Sequence, residues 1–284
     1  MKPPPFAWVR ADSVDAALDH LARHGDEARV IAGGQSLVPL LNFRLARPSV
    51  LVDLSHVTEL SFIRSDDGRL AIGAMTRQRE LERSDLVGRS CPLLPRCLRH
   101  VGHLQIRNRG TVGGSIAHAD PAAELPAVAV VLDADVVVAG SGGRRTIPAR
   151  EFFLGPLTTA LEPAELVVAL SVPVRPGALT AFREVARRAG DFALAGVAAS
   201  LELDAKGVVS RASLAALGVA GTPVRLPAAE RALEGRPLGP EAGREAASAA
   251  AGEVDPPADV HADGEYRRRL VATLVSRCVK DLSG

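Results

Sequence analysis

The sequence predicts an α+β protein: two α/β lobes followed by a C-terminal unit built from a strand meander and helices. Three observations carry this reading. The first sixty residues alternate amphipathic helical stretches with short β-rich runs. Between 134 and 174 the pattern turns strand-rich and hairpin-like. After Pro176-Gly177 the character changes to long strand runs and then three helical segments. This places a domain boundary between 1–176 (lobes of about 1–56 and 57–176) and 177–284.

The elements follow in order. Val14, Leu18 and Leu21 fall on one helical face behind a cap at Asp12 or Ser13. ARVIA (28–32) is a buried strand ending at Gly33, SLVPLLNFRL (36–45) a short helix, and PSVLVDLS (48–55) a further strand. RLAIGA (69–74) is a strand, MTRQRELERSDL (75–86) a helix, and LLPRCLRHVG (93–102) a helix closed by Gly102. AAELPAVAVVLDA (122–134) is helical despite Pro126. ADVVVAG and RRTIPA form a hairpin in which Gly142 and Gly143 supply positive φ. EFFLGP and ELVVALSVPV continue the β pattern. Beyond 177, the stretch 182–221 reads as strands joined by a turn at Ala205-Lys206-Gly207. The last helix, EYRRRLVATLVSRCVKDL (265–282), spaces Leu270, Leu274 and Cys278 by four.

Composition narrows the function. With 284 residues, 47% of them hydrophobic and 24% charged, the chain is an ordinary globular protein that buries its own core. A net charge of +1 gives no global field for nucleic acid or acidic membranes. No apolar run approaches the ~20 residues of a membrane span, and MKPPPFAWVR lacks a signal-peptide core. Cys91, Cys97 and Cys278 are too few and too scattered for a disulfide framework or an iron–sulfur site. A cytoplasmic location is expected.

Two short stretches stand out: VIAGGQSL (30–37) and RGTVGGSI (109–116). Each reads as an apolar strand entering a Gly-Gly pair, then a small polar residue and an aliphatic. Paired glycines permit positive φ and let a ligand approach the main chain closely. Successive N–H groups then face a concavity that favours phosphate. Gln35, Ser36 and Ser115 add side-chain hydrogen bonds. Two such turns facing each other would grip a pyrophosphate from both sides. Neither matches G-x-G-x-x-G, and no P-loop sequence is present.

IAGGQSLVPLLNFRLARPSVLVDL (31–54) and IRNRGTVGGSIAHADPAAELPAVAVVLDA (106–134) resemble the two FAD-binding signatures of molybdenum hydroxylase flavoproteins. The similarity is to the medium, FAD-carrying subunit of the carbon monoxide dehydrogenase and xanthine dehydrogenase family. It continues through REVARRAGDFALAGVAA (183–199) and 255–279, so it spans nearly the whole chain. The resemblance implies a two-lobed FAD-binding domain of the vanillyl-alcohol-oxidase (PCMH) type. A C-terminal domain with a three-stranded antiparallel sheet and helices would follow it. It also implies FAD contacts from Val30, Ile31, Ala32, Gly33, Gly34, Gln35, Ser36 and Leu37, and from Thr111, Val112, Gly113, Gly114 and Ser115. Glu124 would accept from sugar hydroxyls. Val101, Val167 and Arg183 would line flavin or adenine, and Phe192 would sit beside the isoalloxazine in place of the family's tyrosine. Gln35 stands where some relatives carry histidine, and Asn42 where lysine is expected.

By the same resemblance, FAD would take electrons from a small 2Fe–2S subunit. A large molybdopterin subunit would oxidise the substrate, and NAD, quinone or oxygen would be the terminal acceptor. A self-sufficient flavin oxidoreductase acting directly on a small substrate is the alternative; it needs an acid–base residue in a substrate pocket. His118 and Asp120 invite that role, yet read as a loop in which Asp120 caps the next helix. A non-catalytic assembly protein is the third reading. His100-x-x-His103 has helical metal-ligand spacing without a partner ligand nearby, so ordinary helix-end histidines are expected.

Overall fold

The computed structural model describes Lys2–Ser283. The first lobe runs β1 (Ala7–Arg10), α1 (Val14–His24), β2 (Ala28–Ile31), α2 (Leu37–Asn42) and β3 (Val50–Asp53). Ser13 caps α1, its hydroxyl accepting from the Ala16 N–H at 3.1 Å. The three strands form a parallel sheet in the order β1-β3-β2. Central β3 is buried at every residue, which is why VLVD reads as one apolar run ending in a buried aspartate. Asp53 is held by the Ser55 hydroxyl and N–H.

The second lobe contains β4 (Ile63–Asp66), β5 (Arg69–Gly73), α3 (Gln78–Arg83), α4 (Asp85–Ser90), α5 (Leu93–Leu98), α6 (Leu104–Arg109), α7 (Val112–His118) and α8 (Glu124–Val131). It continues through β6 (Asp135–Gly140), β7 (Gly143–Pro148), α9 (Ala149–Phe152), β8 (Phe153–Gly155), β9 (Thr158–Thr159) and β10 (Leu166–Pro173). Its sheet has the order β4-β5-β10-β6-β7, antiparallel at each pairing. Helix α8 is buried along its whole length. It therefore shows no amphipathic period, as a helix surrounded by protein should not.

The third unit comprises β11 (Leu179–Ala186), β12 (Ala193–Leu203), β13 (Val209–Leu217), β14 (Val224–Arg225), α10 (Pro227–Leu233), α11 (Pro240–Glu253) and α12 (Gly264–Leu282). Alternate residues of β12 point into two cores. Ala195, Val197, Ala199 and Leu201 pack under α10–α12, whereas Ala198 joins the core that holds α5 and α8. Both faces of this antiparallel sheet are thus covered, and ALAGVAASL carries no polar alternation. Asp133, just after α8, accepts from Arg175, Arg211 and Arg225 at 2.8, 2.6 and 3.3 Å and ties the third unit to the second lobe.

Several local expectations are corrected. The helix expected over 75–86 is two, because the Ser84 hydroxyl accepts from the Val87 N–H and starts α4 anew. The helix expected over 93–102 stops at Leu98, and Gly102 turns the chain separately at φ +46°. In the β6–β7 hairpin only Gly143 has positive φ. EFFLGP opens with the turn of α9 before becoming strand. The C-terminal sheet gains a fourth strand, the two-residue β14 on β13. Asp120 accepts from Ala122 at 2.9 Å and so forms a turn ahead of α8, whose N-cap is Ala123.

Candidate cofactor cleft

A cleft of about 1130 Å³ runs between the lobes and is closed on one side by the third unit. That exceeds the ~300–1,000 Å³ of a drug-sized pocket and suits an extended ligand. Its first wall is the turn after β2. Gly34 sits at φ +73°, so the chain reverses there at no cost to a Cβ. Among the described residues, nothing accepts from the N–H groups of Gly33, Gly34, Gln35 or Ser36. The Gln35 side-chain amide folds back to donate to the Gly33 carbonyl at 3.1 Å, which leaves those backbone donors for a ligand. Four free donors in one turn make an anion cradle of the kind that suits phosphate.

The second glycine pair is different from the first. It follows helix α6 and lies in the opening turn of α7, with neither glycine at positive φ. Its donors are spent within the protein. Val112 donates to Thr76 O at 3.0 Å, Gly113 to Ala74 O at 2.8 Å, Gly114 to Thr111 Oγ1 at 3.1 Å and Ser115 to Thr111 O at 3.2 Å. Glycine is needed here for close packing: a Cβ on Gly113 would lie 2.8 Å from Ala74 Cα. The expectation of two equivalent anion-gripping turns is therefore corrected. One turn offers donors, and the other supplies a thin wall.

The two turns also touch. A Cβ on Gly33 would stand 2.9 Å from the Arg109 carbonyl carbon and from Gly110 Cα. The Arg77 guanidinium donates to that same Arg109 carbonyl and fixes it.

Of the sequence-derived site residues, the cleft brings together Val30, Ala32, Gly33, Gly34, Gln35, Ser36, Leu37, Val101, Thr111, Gly113, Gly114, Ser115, Glu124, Val167 and Phe192. Three lie elsewhere. Ile31 packs beneath the turn with Leu41 and Leu51, because alternate strand residues face opposite ways. Val112 is buried in the second-lobe core. Arg183 points away along β11 and holds Asp281 with two bonds of 2.7 and 2.8 Å. Phe192 is 72% exposed at the rim.

Sequence reasoning missed other lining groups. Gln78 on α3 is buried and lines the cleft with Oε1 unpartnered. His118 and Asp120, which the sequence reading did single out as a loop beside the second glycine pair, also line it, and burial lowers the His118 pKa against the raising effect of Asp120. Arg187 and His261 stand at the rim, Arg187 Nη1 lying 3.3 Å from His261 Nδ1. Only the position of AHADP directly after the second glycine pair signalled any of these.

Glu124 opens α8 and is 8% exposed. Burial, reinforced by the charge of Glu184, pushes its carboxyl up to about 8. The raised pKa favours the protonated carboxyl near neutral pH, where the sequence reading expected a carboxylate acceptor. A raised pKa means that the folded state binds the proton more tightly than the unfolded chain does. Stability therefore falls as pH climbs from about 4.5 through about 8. Glu124→Gln is expected to flatten that slope in denaturant titrations of the cofactor-free protein across this range; an unchanged slope would refute the assignment.

The rim of the third unit is held by one buried cation. Arg267 of α12, 5% exposed, donates to Leu194 O at 2.6 Å, Gly218 O at 2.8 Å and Asp259 Oδ2 at 2.5 Å. Asp259 Oδ1 accepts from the N–H groups of His261 and Ala262 at 2.8 and 3.0 Å. Gly218 in turn donates to Pro121 O at 2.9 Å, so the clamp reaches the segment below the second glycine pair.

A phosphate cradle, an orphaned amide oxygen and a long cleft with an aromatic at its rim fit a flavin dinucleotide, and the fold and site define a two-lobed flavoprotein. The FAD-binding domain of molybdopterin dehydrogenases matches residues 4–175, and the carbon monoxide dehydrogenase flavoprotein C-terminal domain matches 180–282. The chain belongs to this family of FAD-binding medium subunits of molybdenum hydroxylase-type oxidoreductases, and FAD is its cofactor. It is 46% identical to the 6-hydroxypseudooxynicotine dehydrogenase complex subunit alpha of Paenarthrobacter nicotinovorans, over 98% of this chain and 94% of that one. It is 36% identical to the glyceraldehyde dehydrogenase medium chain of Sulfolobus acidocaldarius across the whole of both. Its structure matches carbon monoxide dehydrogenase from Hydrogenophaga pseudoflava with a TM-score of 0.96 at 37% identity, covering 99% of this chain and 98% of that one. No helix among the described residues is long and apolar enough to cross a membrane.

Proposed function

We propose that this chain is the electron-transfer subunit of a heteromeric molybdenum hydroxylase. Its FAD would pass electrons from a small 2Fe–2S subunit to NAD, quinone or oxygen, while a large molybdopterin subunit oxidises the substrate. The observation that carries this is the pairing of an anion cradle at Gly33–Ser36 with an open, aromatic rim at Phe192. Bound FAD supplies a centre that exchanges electrons singly or in pairs. The chain's own residues do the holding. The Gly33–Ser36 N–H groups would hold the pyrophosphate, Ser115 and Gln78 offer polar side chains along the cleft, and Glu124 lines it with a carboxyl whose pKa burial raises. Phe192, without a hydroxyl, presents only a ring. The residues 1–176 would form the cofactor domain and 177–284 its C-terminal cover. Three buried free cysteines agree with a reducing, cytoplasmic setting.

The test is purification from the native source, with flavin, iron, molybdenum and subunit composition measured together. Rapid mixing of the reduced complex with NAD, a quinone or oxygen then identifies the acceptor. Co-purification of flavin with two further subunits supports the reading. A lone, metal-free flavoprotein that turns over a small substrate would replace it with the self-sufficient oxidoreductase.

A further inference from the structure

We propose that Gln78 recognises a sugar hydroxyl of the dinucleotide beside its pyrophosphate, through the side-chain amide. Gln78 opens α3 and is 5% exposed. Its N–H donates to the Gly110 carbonyl at 2.9 Å, and Arg77 before it pairs with Thr111 in an isolated bridge. The start of the helix is thereby tied to the second glycine turn. A Cβ on Gly110 would stand 2.6 Å from Gln78 Oε1, so glycine is what lets the amide lie there. Gly110 Cα in turn faces Gly33, the first residue of the cradle. Gly110 thus lies against both the amide and the start of the cradle.

The unpaired Oε1 carries the inference. Glutamine is seldom buried, and a buried polar atom nearly always has a partner. Among the described residues, five buried side-chain atoms lack one, and of their residues Gln78 alone lines the cofactor cleft. Nearby acceptors are already used. The Gly33 carbonyl accepts from Gln35, the Gly34 carbonyl from Val38, the Arg109 carbonyl from Arg77 and the Gly110 carbonyl from Gln78 itself. Thr111 Oγ1 accepts from Gly114, and the Thr111 carbonyl from Ser115. The junction of the two turns therefore offers donors in its free N–H groups and an unpaired buried acceptor in the Gln78 amide.

An ionised pyrophosphate only accepts hydrogen bonds, so it suits the cradle and leaves Oε1 unpaired. Oε1 needs a donor. In FAD the hydroxyls of the ribityl chain and of the adenosine ribose flank the pyrophosphate on its two sides. A hydroxyl donates as well as accepts, and a glutamine amide matches it by accepting through Oε1 and donating through Nε2. Gln78 is in this sense a specificity residue: it adds recognition of the sugar to the cradle's recognition of charge.

The inference rests on FAD lying in the cleft with its pyrophosphate at Gly33–Ser36, as proposed above. The test titrates the flavin-stripped protein, with the subunits that purify with it, using FAD and two analogues. One analogue lacks the ribityl hydroxyls, and the other carries deoxyribose in its adenosine half. The wild type should bind one of them roughly tenfold more weakly than FAD, because the amide is then left unpaired, and that analogue identifies the sugar. Gln78→Met, close in shape but without the amide, should bind FAD roughly tenfold more weakly and no longer distinguish it from that analogue. Gln78→Glu keeps an acceptor and should keep the discrimination, while repulsion from the pyrophosphate weakens binding of every form. Denaturant titration of the flavin-free proteins separates recognition from a structural role. Gln78→Met should be no less stable than wild type there, since it removes an unpaired buried atom. Equal wild-type affinity for FAD and both analogues would overturn the proposal, as would a less stable flavin-free Gln78→Met or one that still tells the analogues apart. Failure of the wild-type protein to bind FAD would instead sink the cradle assignment on which the proposal rests.

Discussion

Gly33→Ala is expected to weaken FAD retention by roughly tenfold to hundredfold, the equivalent of the ~1–3 kcal/mol of strain that overpacking produces. The added methyl would press on the Arg109 carbonyl and on Gly110 Cα, both backbone, so no side chain can swing aside. Relief requires the two turns to separate, which opens the cradle of Gly33–Ser36 N–H groups and releases the carbonyl held by Arg77. Fluorescence titration of the cofactor-free protein with FAD measures the loss. Gly88→Ala is the control: Gly88 lies in α4 with open space around its Cβ position, and alanine is the better helix former. It should leave affinity unchanged. If both variants bind FAD as the wild type does, contact between the turns is not what shapes the cradle.

Arg267→Leu should be the most damaging single change to the third unit. It leaves the carbonyls of Leu194 and Gly218 without their donor and frees Asp259, at a cost of about 2–5 kcal/mol. Residues 255–263 would then lose their anchor to β12, and the rim formed by His261 and Arg187 would open. Denaturant titration reads the stability loss, and limited proteolysis within 255–263 reads the release of the loop. Lysine should not rescue it, because one ammonium cannot reproduce a planar fork that serves two carbonyls and a carboxylate. Equal protease resistance of Arg267→Leu and wild type would show that the loop is held by other contacts.

Much of the architecture was legible because it follows from local rules. A capping residue at Asp12 or Ser13 before Val14, Leu18 and Leu21 specified an amphipathic helix, and the structure has it with Ser13 as the cap. The strand meander expected beyond 177 is present as β11–β13. The stretch 182–221 was readable as strands, because β12 is apolar at alternate residues on both faces. Breaks within helices were harder, since Ser84 can either continue a helix or cap a new one, and its choice depends on what α3 packs against.

The cleft was legible only in part. A Gly-Gly pair in sequence does not say whether glycine serves a positive φ, a ligand or a neighbouring strand. Gly34 serves the first, the free N–H groups around it the second, and Gly113 the third, against Ala74. Arg183 failed as a site residue because strand alternation turned it outward to Asp281, almost a hundred residues away in the chain.

By itself, the sequence determined the α+β class, the capped helices, the hairpin at Gly143 and the two glycine segments that mark the family. These depend on residues close together in the chain, where propensity, periodicity and turn chemistry act directly. Tertiary structure alone decided which glycine turn keeps its donors free. It also decided that burial, reinforced by the charge of Glu184, raises the pKa of Glu124, and that Arg267 clamps the rim from 73 residues beyond Leu194. Free donors, shifted protons and buried cations depend on which distant groups arrive nearby, and only folding settles that.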